Sequence, residues 1–309
     1  MQIINQSEIK TLSPCVATVG FFDGVHAGHR FLIEELKGIA QVQNLKSLVV
    51  TFARHPRNVL NSEFQPELLT TLDEKLALLE QIGIDGCVVL NFTPEMAGLS
   101  AFEFLKTVLK EQLSVRTLLV GHDHRFGHNR TDGFPEYKKY GEALGMDVIQ
   151  ATRYNTDMDE RISSSEIRNA LKTGNLELAN RLLTYEYSIR GKVVEGFRVG
   201  RTIGFPTANI ELDDRDKLVP ANGVYAVRVR WNSLVFKGMM NIGNRPTLDN
   251  GQNISLEVHI IGFDTDIYYQ NLEIDFIQKI RNEQKFKSVD ELKEQLQKDK
   301  RCVSEMEID

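Results

Sequence analysis

The feature that most constrains the fold is a change of rhythm near Tyr185. Upstream, short apolar β-rich runs at 15–19, 47–52, 87–90 and 117–120, with a weaker one at 147–149, alternate with helical patterns. The helical patterns lie at 30–43, where Phe31, Leu32, Leu36, Ile39 and Ala40 recur at helical spacing, and at 72–82, 101–112 and 135–144. Such βαβα alternation predicts an α/β domain with a Rossmann-like parallel sheet covered by helices on both faces. Downstream, strand-like runs at 188–194, 208–212, 223–231, 234–242, 254–261 and 272–280 follow one another with only turns between them. Successive strands without crossover helices predict an antiparallel barrel or sandwich, of which a β-barrel is the expectation carried forward. One long helix follows at 288–298, where Ser288 and Glu291 have capping-box spacing. The expected domains are 1–184 and 185–309, and a length of 309 residues suits two.

Composition excludes several function classes. Hydrophobic residues at 41% and charged residues at 26% are ordinary for globular domains. A formal charge of −6 gives no bulk electrostatic case for nucleic acid as a partner. No apolar run approaches the roughly 20 residues needed to cross a bilayer, and the N-terminus lacks the pattern of a signal peptide, so no membrane partner is expected. Cys15, Cys87 and Cys302 lie far apart without a Cys-x-x-Cys, which points to buried or unpaired thiols and a cytoplasmic protein.

The first chemical centre is the glycine-rich turn between the run at 15–19 and the helix after it: Gly20-Phe21-Phe22-Asp23-Gly24-Val25-His26-Ala27-Gly28-His29. A turn of this kind directs backbone N–H groups and the positive end of a helix at one point, which suits a phosphate. Gly28 lets a nucleotide lie close to the backbone, and His26 and His29 add hydrogen-bonding groups. Three further segments occupy strand ends or helix starts in the same domain. Thr51–Arg57 contains His55 and Pro56, whose ring disfavours helix at the residue before it. The segment from Gly121 to Gly127 contains His122, Asp123 and His124. Arg161–Arg168 opens a helix with Ser163, Ser164, Ser165 and Arg168, and is either an ordinary N-cap or a phosphate-ready helix start. His122, His124 and His128 lack carboxylates at ligand spacing and are not read as a metal site.

His26-Ala-Gly-His29 resembles the signature of nucleotidyltransferases related to class I aminoacyl-tRNA synthetases. Taken together, Gly20–His29, Thr51–Pro56, Gly121–Gly127 and Ile162–Arg168 resemble the adenylyltransferase module of the bacterial bifunctional riboflavin kinase/FAD synthetases. That resemblance implies that Gly20, Phe21, Asp23, Gly24, Gly28, Ser163, Ser164 and Ser165 bind ATP, with His26 and His29 at its phosphates. It implies that Arg168, with Ser163 and Ser164, stabilises charge on leaving pyrophosphate, and that His55, Pro56 and Asp123 lie on the substrate side. His124 stands where the resemblance leads one to expect an aromatic residue. FMN already carries an anionic phosphate oxygen, so attack on the α-phosphate needs alignment and charge neutralisation rather than a strong base.

The second centre is Gly200-Arg-Thr-Ile-Gly204-Phe-Pro206-Thr-Ala-Asn209, with Gly196 before it. Glycines at this density suit either a flap that approaches a ligand closely or a plain hairpin. Thr207 and Asn209, two residues apart, point to one side of an extended segment and offer hard oxygens of the kind Mg²⁺ accepts. This segment resembles the ATP-binding flap and Pro-Thr-Ala-Asn motif of riboflavin kinases. So do Asn222–Tyr225, Asn241–Thr247, Leu256–His259 and Ile280–Phe286. The resemblance implies Gly200, Arg201, Gly204 and Pro206 at ATP, Thr207 and Asn209 as Mg²⁺–ATP ligands, and Glu257 as catalytic base. It also implies Arg281 and Phe286 on the flavin side. Alternation in 254–261 puts Ser255, Glu257 and His259 on a polar face. The neutral riboflavin hydroxyl gives a carboxylate a proton to accept.

The resemblance implies two sites acting in turn on riboflavin, FMN and ATP, with Mg²⁺ and no covalently bound cofactor. Two other readings stay open from the residues alone. One is a nucleotidyltransferase for another phosphorylated acceptor with an accessory barrel; the other is a flavin-binding sensor without turnover.

Overall fold

A computed structural model describes residues 1–9, 12–57, 67–122, 124–128, 131–154, 162–196, 199–244 and 254–308. The chain divides into two compact units, Met1–Ser164 and Ser165–Asp309.

The first unit carries β1 (Gln2–Asn5), β2 (Cys15–Val19), α1 (Ala27–Gln43), β3 (Lys46–Phe52), α2 (Leu72–Ile82) and β4 (Gly86–Leu90). It continues with α3 (Pro94–Gly98), α4 (Ala101–Glu103, running on as a π-helix over Phe104–Gln112), β5 (Val115–Val120), α5 (Phe134–Leu144) and β6 (Asp147–Gln150). The six strands form a parallel sheet in the order β1-β4-β3-β2-β5-β6. β2, β3 and β4 are apolar almost throughout because both sheet faces are covered. The two-residue side-chain period sorts them. Ala17, Val19, Leu48, Val50, Val88 and Leu90 join Leu105, Leu109 and Tyr137 on one face. Val16, Val49, Cys87 and Val89 join Ile33, Leu36 and Leu79 on the other. From β2 the chain moves out through β3 to β4, then returns to β5 on the opposite side of β2. The strand order therefore reverses at β2, and in open α/β sheets the ligand crevice lies beyond the carboxyl ends of the strands at that point.

The second unit carries α6 (Ser164–Thr173, its first residue still in the first unit), α7 (Leu176–Leu183), β7 (Ser188–Val194), α8 (Val199–Thr202), β8 (Ala208–Leu212), β9 (Gly223–Trp231), β10 (Leu234–Asn244), β11 (Ile254–Ile260), β12 (Asn271–Arg281) and α9 (Val289–Glu305). Its strands close into an antiparallel barrel in the order β10-β11-β8-β7-β12-β9. α6 and α7 belong with the barrel for stated reasons. The backbone N–H of Ala221 donates to the Leu171 carbonyl at 2.9 Å. The Asn180 amide donates to the Phe276 carbonyl and accepts from the Tyr187 N–H, both at 2.9 Å. α9 lies on the barrel through Val303, which packs with Ala226, Met239 and Phe205.

The expected strands and helices are all present, and further elements go beyond the expectation, the short helix α3 among them. β1 and α7 were not foreseen, and the glycine-rich flap contains the single helical turn α8. At the start of α9 only half of the expected capping box forms. Ser288 Oγ accepts from the Glu291 N–H at 3.1 Å, but the Glu291 carboxylate turns to the Lys287 N–H at 2.9 Å.

Candidate active sites

In the first unit the glycine-rich segment leaves β2 at the reversal point. Gly20 still pairs with β3, its N–H donating to the Val50 carbonyl at 3.0 Å, and a 3-10 turn at Asp23–Val25 leads into α1. The turn is strained. Phe22 has φ +55° and Val25 φ +37°, a left-handed conformation that a β-branched residue rarely adopts. Such strain persists only where the surroundings over-determine the backbone. Here the buried Asp23 carboxylate accepts from the Leu69 and Thr70 N–H groups, each at 3.0 Å, while Thr70 Oγ1 accepts from the Gly24 N–H at 3.0 Å. Ser164 Oγ donates to the Asp23 carbonyl at 2.9 Å. Asp23 thus shapes the turn through its carboxylate.

His26 caps α1, its Nδ1 accepting from the His29 N–H at 3.3 Å, which places its proton on Nε2. The two histidine rings stack with centroids 3.6 Å apart. His29 also meets the edge of Phe22, and its Nδ1 is buried without a hydrogen-bond partner among the described residues. Burial first, and then the fields of His26, His124 and Lys75, hold His29 well below the usual histidine value, so His29 is neutral at neutral pH. His124, after β5, is therefore brought to the same place as the turn after β2. His55, after β3, packs edge-on to Phe21 with centroids 4.7 Å apart and accepts the Arg57 N–H on Nδ1 at 3.1 Å. Pro56 opens a helical turn directly after it. Gly28 has His26 and Ile162 as its neighbours. Ser163 precedes α6, whereas Ser165 and Arg168 lie on α6 within the second unit. Asp123 and Arg161 lie outside the described residues.

In the second unit three of the expected residues converge. Glu257 on β11 stands opposite Asn209 on β8. Its carboxylate accepts from Ser255 Oγ at 2.8 Å and from Thr207 Oγ1 at 3.4 Å. Asn209 is buried, and a Cβ on Gly196 would come within 2.1 Å of its amide, so only glycine lets the chain cross there. A Cβ on Gly200 would come within 2.2 Å of the Phe205 carbonyl, and the backbone N–H of Phe205 donates to the Gly200 carbonyl at 2.8 Å. Gly204 takes φ +83°. Pro206 offers its carbonyl to His259 Nδ1 at 2.8 Å; since a carbonyl only accepts, the histidine proton sits on Nδ1. The polar face of β11 is thus not a solvated one: Ser255 and His259 are buried and Glu257 is half-buried.

A cleft of about 450 Å³ adjoins this cluster. Arg201, Pro206 and Thr207 line it from the flap side, and Asp264, Asp266 and Tyr268 from the loop after β11. The Arg201 guanidinium lies over the Tyr268 ring at 6.0 Å. This loop was not anticipated: a Phe-Asp-Thr-Asp turn after a strand carries no signal beyond that of an ordinary connection. Arg281 makes three contacts with the buried Asp299 carboxylate, the shortest 2.8 Å, and its guanidinium faces Phe286 at 5.9 Å. The part of the Asn241–Thr247 motif from Arg245 onward lies outside the described residues.

Comparison with known proteins gives the two units separate counterparts. The family model for FAD synthetase matches residues 8–166, and the one for riboflavin kinase matches residues 183–306. The bifunctional riboflavin kinase/FMN adenylyltransferase of Escherichia coli (strain K12) is 40% identical over 94% of this chain and 92% of its own length. Its namesake from Bacillus subtilis (strain 168) is 37% identical over 92% of this chain and 90% of its own. A crystal structure from Streptococcus pneumoniae, described as a macrolide-efflux protein, superposes with a TM-score of 0.90 at 31% identity, covering 99% of this chain and all of that one. Among the described residues, no helix here is long and apolar enough to cross a membrane. Matched by both family models in sequence order and by relatives along nearly its whole length, the chain belongs to the family of bifunctional riboflavin kinase/FMN adenylyltransferases.

Proposed function

We propose that riboflavin is phosphorylated at the Thr207–Asn209–Glu257 cluster of the barrel, and that the resulting FMN is adenylylated by ATP at the turn from Gly20 to His29. The two activities are assigned to residues 185–309 and 1–184. The observation that carries the kinase assignment is the approach of the Thr207 hydroxyl to Glu257 with Asn209 in register across the strand pair. In this reading Glu257 accepts the proton of the flavin 5′-hydroxyl as its oxygen attacks the γ-phosphate. Ser255 holds one carboxylate oxygen and Thr207 steadies the other.

The donor set fits Mg²⁺ carried in with the nucleotide. Thr207 and Asn209 offer a hydroxyl and an amide oxygen, and no group of three or more His, Cys, Asp or Glu able to hold a metal occurs among the described residues. When bound with ATP, Mg²⁺ neutralises phosphate charge. Thr207 and Asn209 would hold it, and Arg201, Asp264, Asp266 and Tyr268 would surround the nucleotide in the cleft. At the other site, His26 donates from Nε2 toward the phosphates, while the N-terminal N–H groups of α1 face the charge that moves onto pyrophosphate. Ser163, Ser164, Ser165 and Arg168 complete the reading on the pyrophosphate side, and His55, Pro56 and Asp123 on the FMN side. A cytoplasmic location accompanies it, supported by three unpaired cysteines.

The test is a chromatographic time course of the purified chain with riboflavin, ATP and Mg²⁺, run beside Glu257→Ala. The parent should show FMN rising and then giving way to FAD. Glu257→Ala should lose about 100-fold or more of riboflavin phosphorylation while adenylylating supplied FMN at the parent rate. Equal loss of both activities in a folded variant would overturn two separate sites.

A further inference from the structure

Lys75 lies on α2 and belongs to neither set of residues named above. At 2% exposure it is among the most buried charged residues of the described chain, and it shares the helix face of Leu79 and Ile82, where an apolar residue is the ordinary occupant. Its ammonium serves nothing on α2. Nζ donates to the carbonyl of Phe21 at 3.0 Å and to the carbonyl of Phe52 at 3.2 Å, and sits 4.2 Å from the centre of the Phe21 ring. These carbonyls lie just past the end of β2 and at the end of β3, beside the point where the strand order reverses. The Phe21 carbonyl also accepts from Thr51 Oγ1 at 3.1 Å.

Burying an ammonium is costly, and an apolar residue of similar length would generally serve a helix packed on a sheet as well or better. The charge is retained where it fixes one residue twice, by carbonyl and by ring. Phe21 in turn carries the edge of His55 and directly precedes the left-handed Phe22. We propose that Lys75 is a positioning residue for adenylyl transfer: its ammonium holds Phe21, and through Phe21 the strained turn and His55, in the geometry that receives ATP. The inference rests on the assignment of adenylyl transfer to this turn.

The groups facing Nζ are Asp23 from the turn, His29 from α1 and Cys87 from β4. Burial lowers the ammonium to about 8 against the opposing pull of Asp23. His29 stays neutral, and Cys87 is pushed up to about 12, so neither titrates between about pH 7 and about pH 9.5.

The experiment measures both activities of the full chain in Lys75→Met, Phe21→Leu and the double variant. Lys75→Met should raise the KM for ATP in adenylylation and lower kcat/KM about tenfold or more, with kinase constants within about twofold of the parent. Because Lys75 acts through Phe21, the double variant should be no worse than the more damaged single one, whereas multiplied losses would overturn the proposal. So would a folded Lys75→Met with parental adenylylation. Should Lys75→Met not fold, the parent's pH profile decides. Adenylylation should fall from about pH 8 upward while the kinase rate holds, and a parallel or flat alkaline profile would overturn the role. A double change of His26 and His29 to Ala separates the two claims. If it spares adenylylation the site itself is misplaced; if it abolishes adenylylation while Lys75→Met does not, only the role of Lys75 fails.

Discussion

Asp23 shows how one buried side chain can be spent on shape at a site where a ligand role was equally open. Its carboxylate accepts two backbone N–H groups and the Thr70 hydroxyl, and the residue is buried. Removing it leaves the Leu69 and Thr70 N–H groups buried and unsatisfied beneath a turn that already carries the unfavourable φ of Val25. Asp23→Ala should therefore destabilise the first unit by about 2–3 kcal/mol, read from the denaturant midpoint of its transition. Adenylylation should be lost with the turn, and kinase activity should persist. The residues that hold the turn, Lys75 and Thr70, were passed over because neither belongs to a glycine-rich or histidine-bearing segment. The spacing of Lys75 to Leu79 and Ile82 marks it as facing the core, but only the packing shows which carbonyls its ammonium meets, and Thr70 lies ahead of α2 with no periodicity to read.

Among the elements, α9 depends on a single buried ion pair as much as on its apolar stripe. Asp299 is 2% exposed and accepts from Arg281 and, at 2.8 Å, from the Gln295 amide. Asp299→Ala would strand the Arg281 guanidinium at the end of β12, and the barrel should lose about 3–5 kcal/mol. Differential scanning calorimetry should show the barrel transition moving down while that of the first unit stays in place. The elements themselves were largely legible. Runs such as 188–194, 208–212 and 223–231 have glycine, proline or asparagine within two residues of at least one end, and the observed strands keep those bounds. β1 escaped because Gln-Ile-Ile-Asn is a four-residue edge strand with a burial pattern too short to show a period. α8 escaped because a four-residue turn between glycines has no periodicity at all. The alternation in β11 did not show that Phe205 covers His259, their rings meeting at 5.4 Å. Alternation reports which residues share a face, and what lies over that face is decided by chain far away in sequence.

For the molecule as a whole, two units with separate chemistry imply that FMN made at one site is substrate at the other. Chains carrying Glu257→Ala can adenylylate but not phosphorylate, and chains with His26 and His29 both changed to Ala should do the reverse. Neither alone should yield FAD from riboflavin. An equimolar mixture should restore FAD, after a lag in which free FMN accumulates, and chromatography of the mixture measures both. Absence of FAD from the mixture, with each single activity intact, would mean that FMN does not pass through solution. The change from a parallel sheet to an antiparallel barrel was readable in the change of rhythm near Tyr185. The place where contacts divide the chain was not, because α6 and α7 continue the helical pattern of the first half while bonding to the barrel.

The bond from His259 to the Pro206 carbonyl bears on how a product leaves. Pro206 is pinned from below, and Asn209 is locked by pairing across to β11. If the flap opens to discharge spent nucleotide, the change would be absorbed ahead of the buried Phe205, where Gly204 has no neighbour crowding it. On the proposed assignment, the Thr207 and Asn209 oxygens would keep their station while the cover moved, so the enzyme would reset for its next turnover by closing a latch rather than rebuilding a site.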